Sequence, residues 1–519
     1  MDKRIRIKGQ TDDTSINLAL DTINIGKQAL IFVNTKRSAE KTAEEISKKI
    51  KTSDKKLEEL SEAVLKVLSR PTKQCERLAK CIKKGIAFHH AGLTHKQKEL
   101  IEDSFRKRIT KIICATPTLA LGVDLPAFRA ILKDLRRYGH RGMEFIPVLE
   151  YLQMAGRAGR PNYDKEGQAI AIAATEAERK KIHERYILGE PEDIYSKLAV
   201  EPVLRTYLLS LIAADFINDR KSILKFFEKT FWAYQFTDME KLEEIITRML
   251  ALLEDWEFLK STKEEFQSAD ELGNEKYKAT ILGKRVAELY IDPLTAHFFI
   301  DCLRKAHNRA EAFSFLQMIS HTLEIRPMLK VRTKEYEKIE ESLVTYHDRI
   351  LESEPSMYEP EYEDFLKSVK TALFFQNWID EKDEESILEE FNVRPGELRV
   401  KLETADWLLY AAEELSRILR LKSLISEVIK LRLRLKYGVK EELLPLLKLK
   451  NIGRVRARAL HRNKIKSIGD VKKADVAKLV QILGRKVAID IKKQVGEDID
   501  KARVPERKRK GQISLKDWS

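Results

Sequence analysis

Two arginines three residues apart are the first feature of this 519-residue sequence that suggests chemistry. In Gln153-Met154-Ala155-Gly156-Arg157-Ala158-Gly159-Arg160-Pro161 the glycines permit close backbone approach. Arg157 and Arg160 then fall on one face of a helix, within reach of the same phosphate group. A guanidinium suits that task, because its planar, permanently charged fork stabilises charge on a transferring γ-phosphoryl group. A glycine-rich helix start with solvated arginines is the plainer alternative. Thr116 and Thr118, just past the apolar run Lys111 to Ala115, offer hydroxyls to a phosphate. His89 and His90 close another apolar run; satisfied strand-end histidines and functional ones fit equally, and no third ligand lies nearby for a metal. The four cysteines include no C-x-x-C pair, so no metal site is expected.

These residues need a scaffold, and the first 175 residues supply the pattern of one. Short apolar runs alternate with amphipathic stretches, as in βαβ units on a parallel sheet. The expected strands are Gln28 to Val33, Gly85 to Phe88, Lys111 to Ala115, Arg129 to Leu132 and Gln168 to Ala173, with helices at Ser38 to Lys51 and His95 to Lys107. Their aliphatic residues run almost continuously, which suits strands buried on both faces. From about Glu190 helical spacing takes over. The strand-like Lys276 to Thr280 after helices predicts a winged helix, and Asp292-Pro293 opens a new helix. The expected fold class is multidomain α/β plus α. Its divisions are a motor domain over 1–186, a winged helix over 187–290, a helical bundle over 291–437, a compact helical unit over 438–500 and a basic, disordered tail over 501–519.

Composition narrows the partners. Lysine and arginine number 97 against 82 acidic residues, a net charge of +15, which favours a polyanion such as nucleic acid. No run of about 18 apolar residues exists to span a bilayer. Met1 is followed by Asp2, Lys3 and Arg4 with no apolar stretch of a secretory leader, so a cytoplasmic location is expected.

Gln153 to Pro161 resembles motif VI of superfamily 2 helicases, and Ala115 to Ala127 resembles their motif V. Ile31 to Arg37 looks like motif IV and Phe88 to Leu93 like motif IVa, in the family's order. The resemblance implies a second RecA-like motor domain in which Gln153, Arg157 and Arg160 serve catalysis. It also implies that Gly122, Asp124 and Gly156 face the nucleotide and that Thr35, Arg37, His90, Thr116 and Thr118 face nucleic acid. Asp124 departs from the asparagine of many relatives and matches members whose acid contacts the ATP ribose. The sequence contains no G-x-x-x-x-G-K-[ST], and the Gly-Lys pairs at Gly26 and Gly283 lack its spacing. ATP and Mg²⁺ therefore belong to the complete motor, and this chain is expected to lack the first RecA domain and not to hydrolyse ATP alone.

Beyond motif VI, Ala279 to Pro293, Ser314 to Leu329, Trp378 and Pro395 to Trp407 resemble the archaeal fork-repair DNA helicases related to helicase Q and to the helicase part of polymerase theta. That resemblance implies three-prime to five-prime unwinding of forked or branched DNA in fork repair and recombination. It makes Lys133 to Pro147 a strand-separating β-hairpin, in which Gly139 and Gly142 allow reversals and Arg136, Arg137 and Tyr138 meet DNA. Arg399 and Trp407, about 80° apart on a helix, would offer themselves to successive bases, although a tryptophan at helical spacing is also an ordinary core residue. Leu449 to Leu460 reads as helix, glycine turn, helix and resembles a helix-hairpin-helix unit, with Arg454, Arg456 and Arg458 as its basic cluster. Gln512, Leu515 and Trp518 sit at the offsets of a sliding-clamp peptide. The alternatives are a Ski-type RNA helicase fragment and a non-catalytic, clamp-recruited DNA-binding adaptor.

Overall fold

The computed structural model describes residues 6–51, 54–68, 70–139, 142–159, 164, 166–198, 200–236, 238–262, 276–306 and 310–497. Two compact units emerge: Met1–Ile194 together with Glu384–Val400, and Tyr195–Asp383 together with Lys401–Ser519.

The first unit is built on five parallel strands. They are β1 Ala29–Phe32, β2 Ile86–His89, β3 Ile112–Ala115, β4 Arg129–Leu132 and, later in the chain, β7 Gln168–Ala171. Their spatial order is β2-β3-β1-β4-β7. The first four are buried along their whole length, as their unbroken aliphatic runs require. All five expected strands are present: β1, β3 and β7 are shorter by one or two residues, β2 is shifted by one, and β4 has the expected bounds. Between β1 and β2 stand three helices: Lys36–Ser47, Lys55–Leu65 and Lys73–Ile82. Each has a capping Thr or Asp before it, at Thr35, Asp54 and Thr72, whose side-chain oxygen accepts a first-turn amide.

Between β4 and β7 the chain forms the expected hairpin, β5 Arg136–Gly139 paired with β6 Gly142–Phe145. Gly142 takes φ +105°, a conformation that favours glycine. The helix Val148–Ala155 follows directly and ends at Gly156.

The segment Glu384–Val400 groups with this first unit. The reason is local bonding. Gly396 N donates to Gly92 O at 3.0 Å, Lys73 pairs with Glu389 at 2.5 Å, and Lys36 pairs with Glu397. Arg394 also reaches Glu40, at 3.3 Å.

In the second unit, helices Glu201–Ala213 and Met239–Asp255 precede a hairpin of β8 Leu259–Thr262 and β9 Lys276–Ala279, followed by the helix Ile281–Leu289. Asp292 caps the helix Pro293–Lys305 by accepting from Leu294 N, so the helix expected to open at Asp292-Pro293 is present. Arg205 clasps Asp292 through two bonds of 2.6 and 2.9 Å. The last described portion packs a core of its own around Val439, Leu443, Leu460, Leu479 and Ile491. Its helices are Arg454–Arg462, Ile468–Lys473, Val476–Leu483 and Arg485–Gln494. Leu449 to Gly453 is a turn after the 3-10 helix Leu446–Lys448, so the expected first helix is reduced to a single turn. A second helix-glycine-helix junction, at Gly484 with φ +87°, escaped the sequence reading.

Candidate motor and nucleic-acid site

The carboxyl ends of the parallel strands gather the motif residues of the first unit, the edge at which open α/β sheets bind ligands. After β3, Thr116 is buried and its hydroxyl meets that of the exposed Thr118 at 2.9 Å. The short helix Thr118–Gly122 then leaves Gly122 exposed, with nothing within 4 Å of where a Cβ would sit. Asp124 follows, 93% exposed.

The arginine loop comes to meet this segment. Ala127 N donates to Arg157 O at 2.9 Å, and Gly159 N donates to Ala127 O at 2.7 Å. Through them the arginine loop and the threonine loop are stitched together by backbone. The Arg157 guanidinium donates to Ala120 O and lies 3.3 Å from Asp124. Its Nε is buried and has no hydrogen-bond partner, so its bonding capacity is not filled by protein. Gln153 is half-buried on the preceding helix, and Gly156 is exposed at that helix's end. Arg160 lies outside the described residues.

After β1, Thr35 is spent as a helix cap, its hydroxyl accepting from Ser38 N at 3.1 Å, and Arg37 is exposed beside it. His90 corrects the sequence expectation. It is 0% exposed, so its ring has no surface to offer nucleic acid. Its Nδ1 accepts from Gly92 N at 3.1 Å, which assigns the proton to Nε2, 3.2 Å from Glu40. Burial pushes the Glu40 carboxyl up, but the adjacent His90 ring and the charges of Arg394 and Arg77 outweigh it and hold it at about 2. Burial likewise keeps the His90 pKa below its ordinary value, against the pull of Glu40. The plainer strand-end reading of His90 is what the structure contains. Glu40, the hub of this network, was missed; only its helical spacing from Lys36 hinted at pairing.

The hairpin presents Tyr138, 83% exposed. Arg136 covers the Phe145 ring at 4.3 Å, and Arg137 donates to Glu150 at 2.7 Å. Both hairpin arginines thus have protein contacts that the sequence did not reveal. Arg399 is exposed in the segment that belongs to the first unit.

In the second unit Trp407 is half-buried, and its indole N–H donates to Leu289 O at 2.9 Å. One edge of the ring is therefore committed to the protein. Arg456 is exposed, its guanidinium folded back on Asn451 O at 2.6 Å. Arg454 lies over Trp378, 5.1 Å from the ring centre. Arg458 corrects a further expectation. It donates to both oxygens of Glu381, at 2.5 and 2.8 Å, and to Glu442 at 2.6 Å. The Glu381 bond and its neighbours raise the Arg458 pKa further, leaving a structural tie rather than an available phosphate contact. The residues Gln512, Leu515 and Trp518 lie outside the described part of the chain.

Parallel strands, a threonine-bearing loop and an arginine loop stitched to it define the C-terminal motor domain of a helicase, and residues 13–162 match the helicase conserved C-terminal domain family. Residues 313–438 match archaeal helicase domain 4. The chain is 40% identical over 504 residues to the ATP-dependent DNA helicase Hel308 of Pyrococcus horikoshii, covering 96% of this chain and 67% of that protein. It is 34% identical over 525 residues to the Hel308 of Methanococcus vannielii, covering 94% and 68% respectively. The chain belongs to the Hel308 family. Among the described residues no helix is long and apolar enough to cross a membrane.

Proposed function

We propose that this chain is the arginine-bearing, DNA-handling portion of an ATP-dependent helicase that moves three-prime to five-prime along single strands and unwinds forked or branched DNA. The observation that carries the reading is the seat of Arg157, beside Asp124 at the carboxyl edge of the sheet with a buried Nε left unpartnered. ATP with Mg²⁺ supplies the phosphoryl group whose loss drives movement. Toward it, Arg157 and Arg160 stabilise developing charge, Gln153 orients the attacking water, and Gly122, Asp124 and Gly156 border the nucleotide. These 519 residues contain no P-loop, so turnover on this reading requires a P-loop-bearing RecA domain as partner.

For DNA, Tyr138 at the hairpin stacks on the last base pair while Thr118 and Arg37 contact the backbone. Helices followed by the β8–β9 hairpin act as a winged helix. Arg399 and the free face of Trp407 meet the translocated strand. The helix beginning at Gly453, with Arg454 and Arg456, holds phosphate as a helix-hairpin-helix unit. Gln512, Leu515 and Trp518 dock a sliding clamp. A cytoplasmic location accompanies these roles.

The deciding experiment is DNA-stimulated ATP hydrolysis by this chain with and without a separately expressed P-loop RecA domain. Activity only on mixing supports the reading. Activity in the isolated chain overturns the requirement for a partner. Silence in both with tight DNA binding favours the adaptor, and stimulation by RNA in preference to DNA favours the Ski-type alternative.

A further inference from the structure

The helix Val148–Ala155 connects the hairpin to the arginine loop, and two carboxylates hold its first turn. Its N-cap is Pro147, which offers no side-chain acceptor, so the first amides need another partner. Glu192, 44 residues beyond Val148, provides it. One carboxylate oxygen accepts from Val148 N at 2.7 Å and the other from Leu149 N at 3.2 Å. The Val148 N–H bond lowers the Glu192 pKa even at the surface, consistent with an anion at a helix N-terminus.

Glu150, in the same turn, faces the hairpin. Its Oε2 accepts from Arg137 of β5 at 2.7 Å, while its Oε1 is buried without a hydrogen-bond partner. A carboxylate so placed depends heavily on its one arginine. Tyr186 reinforces the joint by donating its hydroxyl to Ile146 O at 2.8 Å and stacking on Tyr151 at 4.6 Å. At the far end, roughly 12 Å away for eight helical residues, Arg157 is tied by backbone to Ala127.

We propose that Glu150 and Glu192 are positioning residues that lock the hairpin to the first turn of the Val148–Ala155 helix, so that Tyr138 and Arg157 shift as one body. This rests on the helicase reading for its purpose: a displacement of the phosphate-sensing arginine is then delivered to the base pair at the hairpin without being absorbed by a loose joint. Arg137 acts through Glu150 as part of that lock.

The test uses the full chain. All four native cysteines are buried, so Tyr138→Cys gives a selective site for a nitroxide on the hairpin. Glu150→Gln is expected to shorten the label's rotational correlation time roughly twofold, on the nanosecond scale of loop motion. Arg137→Gln should do the same, and the double variant should add nothing further, since both changes break one contact. Glu192→Gln is expected to speed amide exchange at Val148 and Leu149 roughly tenfold. It should also speed exchange at Arg157 and mobilise the label. Parent-like label mobility in Glu150→Gln and Arg137→Gln overturns the lock. A Glu192→Gln effect confined to Val148 and Leu149 reduces Glu192 to a local cap and overturns its part. If Glu150→Gln lowers protection at the sheet amides of Ile31 and Ile113, Arg137→Gln, at a half-exposed hairpin position, decides by its label mobility alone. None of these readouts involves ATP or DNA, so their failure is separable from failure of the helicase reading.

Discussion

Arg157 lies 3.3 Å from the carboxylate of Asp124, and that carboxylate is 93% exposed. A pair so open to water contributes little stability. The arginine is therefore held in place chiefly by its bond to Ala120 O and can exchange Asp124 for a phosphate at small cost. The threonine loop thus keeps the arginine within reach of its target while leaving it available.

Arg157→Ala is expected to leave forked-DNA affinity within about twofold and to lower ATP turnover of the reconstituted two-domain motor by about 10³-fold or more. Arg157→Lys should recover little of it, because a point charge lacks the planar fork. Gel-shift titration and steady-state ATPase rates measure the two quantities. A Lys variant at near-parental rate would remove the phosphate-clamping role.

Tyr138, 83% exposed, holds no core contact that its loss would break. Tyr138→Ala should therefore leave thermal stability within about 0.5 kcal/mol. Loss of a base stack costs about 1–3 kcal/mol, so fork unwinding should fall about tenfold or more while DNA-stimulated ATP hydrolysis persists. Tyr138→Phe should retain unwinding, which separates stacking from hydroxyl chemistry. Equal unwinding by the Ala variant would place strand separation elsewhere.

The sheet was legible because buried parallel strands leave continuous aliphatic runs, and β1 to β4 sit where Ile31, Phe88, Ile113 and Ile131 announce them. The hairpin was expected from the family resemblance, with Gly139 and Gly142 allowing its reversals. Side-chain commitments were not, because they pair residues far apart in sequence. Nothing near Arg458 foretold Glu381, 77 residues earlier, nor did anything near Val148 foretell Glu192. His90 failed for a related reason: the strand-end position was readable, but full burial depends on Glu40 and Arg394 closing over it.

Arg456 and Arg458, two residues apart, should behave differently. Arg456 is exposed, so Arg456→Ala should weaken DNA binding and reduce the slope of log affinity against log salt by about one. Arg458→Ala should leave that slope unchanged and instead destabilise the fold by about 1–3 kcal/mol, since Glu381, only 15% exposed, loses its arginine and keeps only the Lys440 N–H. Salt-dependent binding isotherms and urea melts check the pair. A reduced slope in Arg458→Ala would restore it to the DNA-contacting set.

Acid should attack the Glu40–His90 network first. The Glu40 carboxyl ionises at about 2 in the folded chain against 4.5 for the free group. Its stabilising share is therefore complete above pH 4.5 and is lost as pH falls toward 2, a contribution of about 3 kcal/mol at most for a shift of this size. His90 acts in the same direction from higher pH: its folded pKa lies below 6.5, so its share begins to fade as pH drops through 6.5, where the unfolded chain takes up protons first. Urea unfolding from pH 7.5 to 3 should accordingly show stability falling in two stages. Glu40→Gln should flatten the lower stage while lowering stability at pH 7, because Arg77 and Arg394 then lose a carboxylate that is 4% exposed. An unchanged lower stage in that variant would assign the acid sensitivity to other carboxylates.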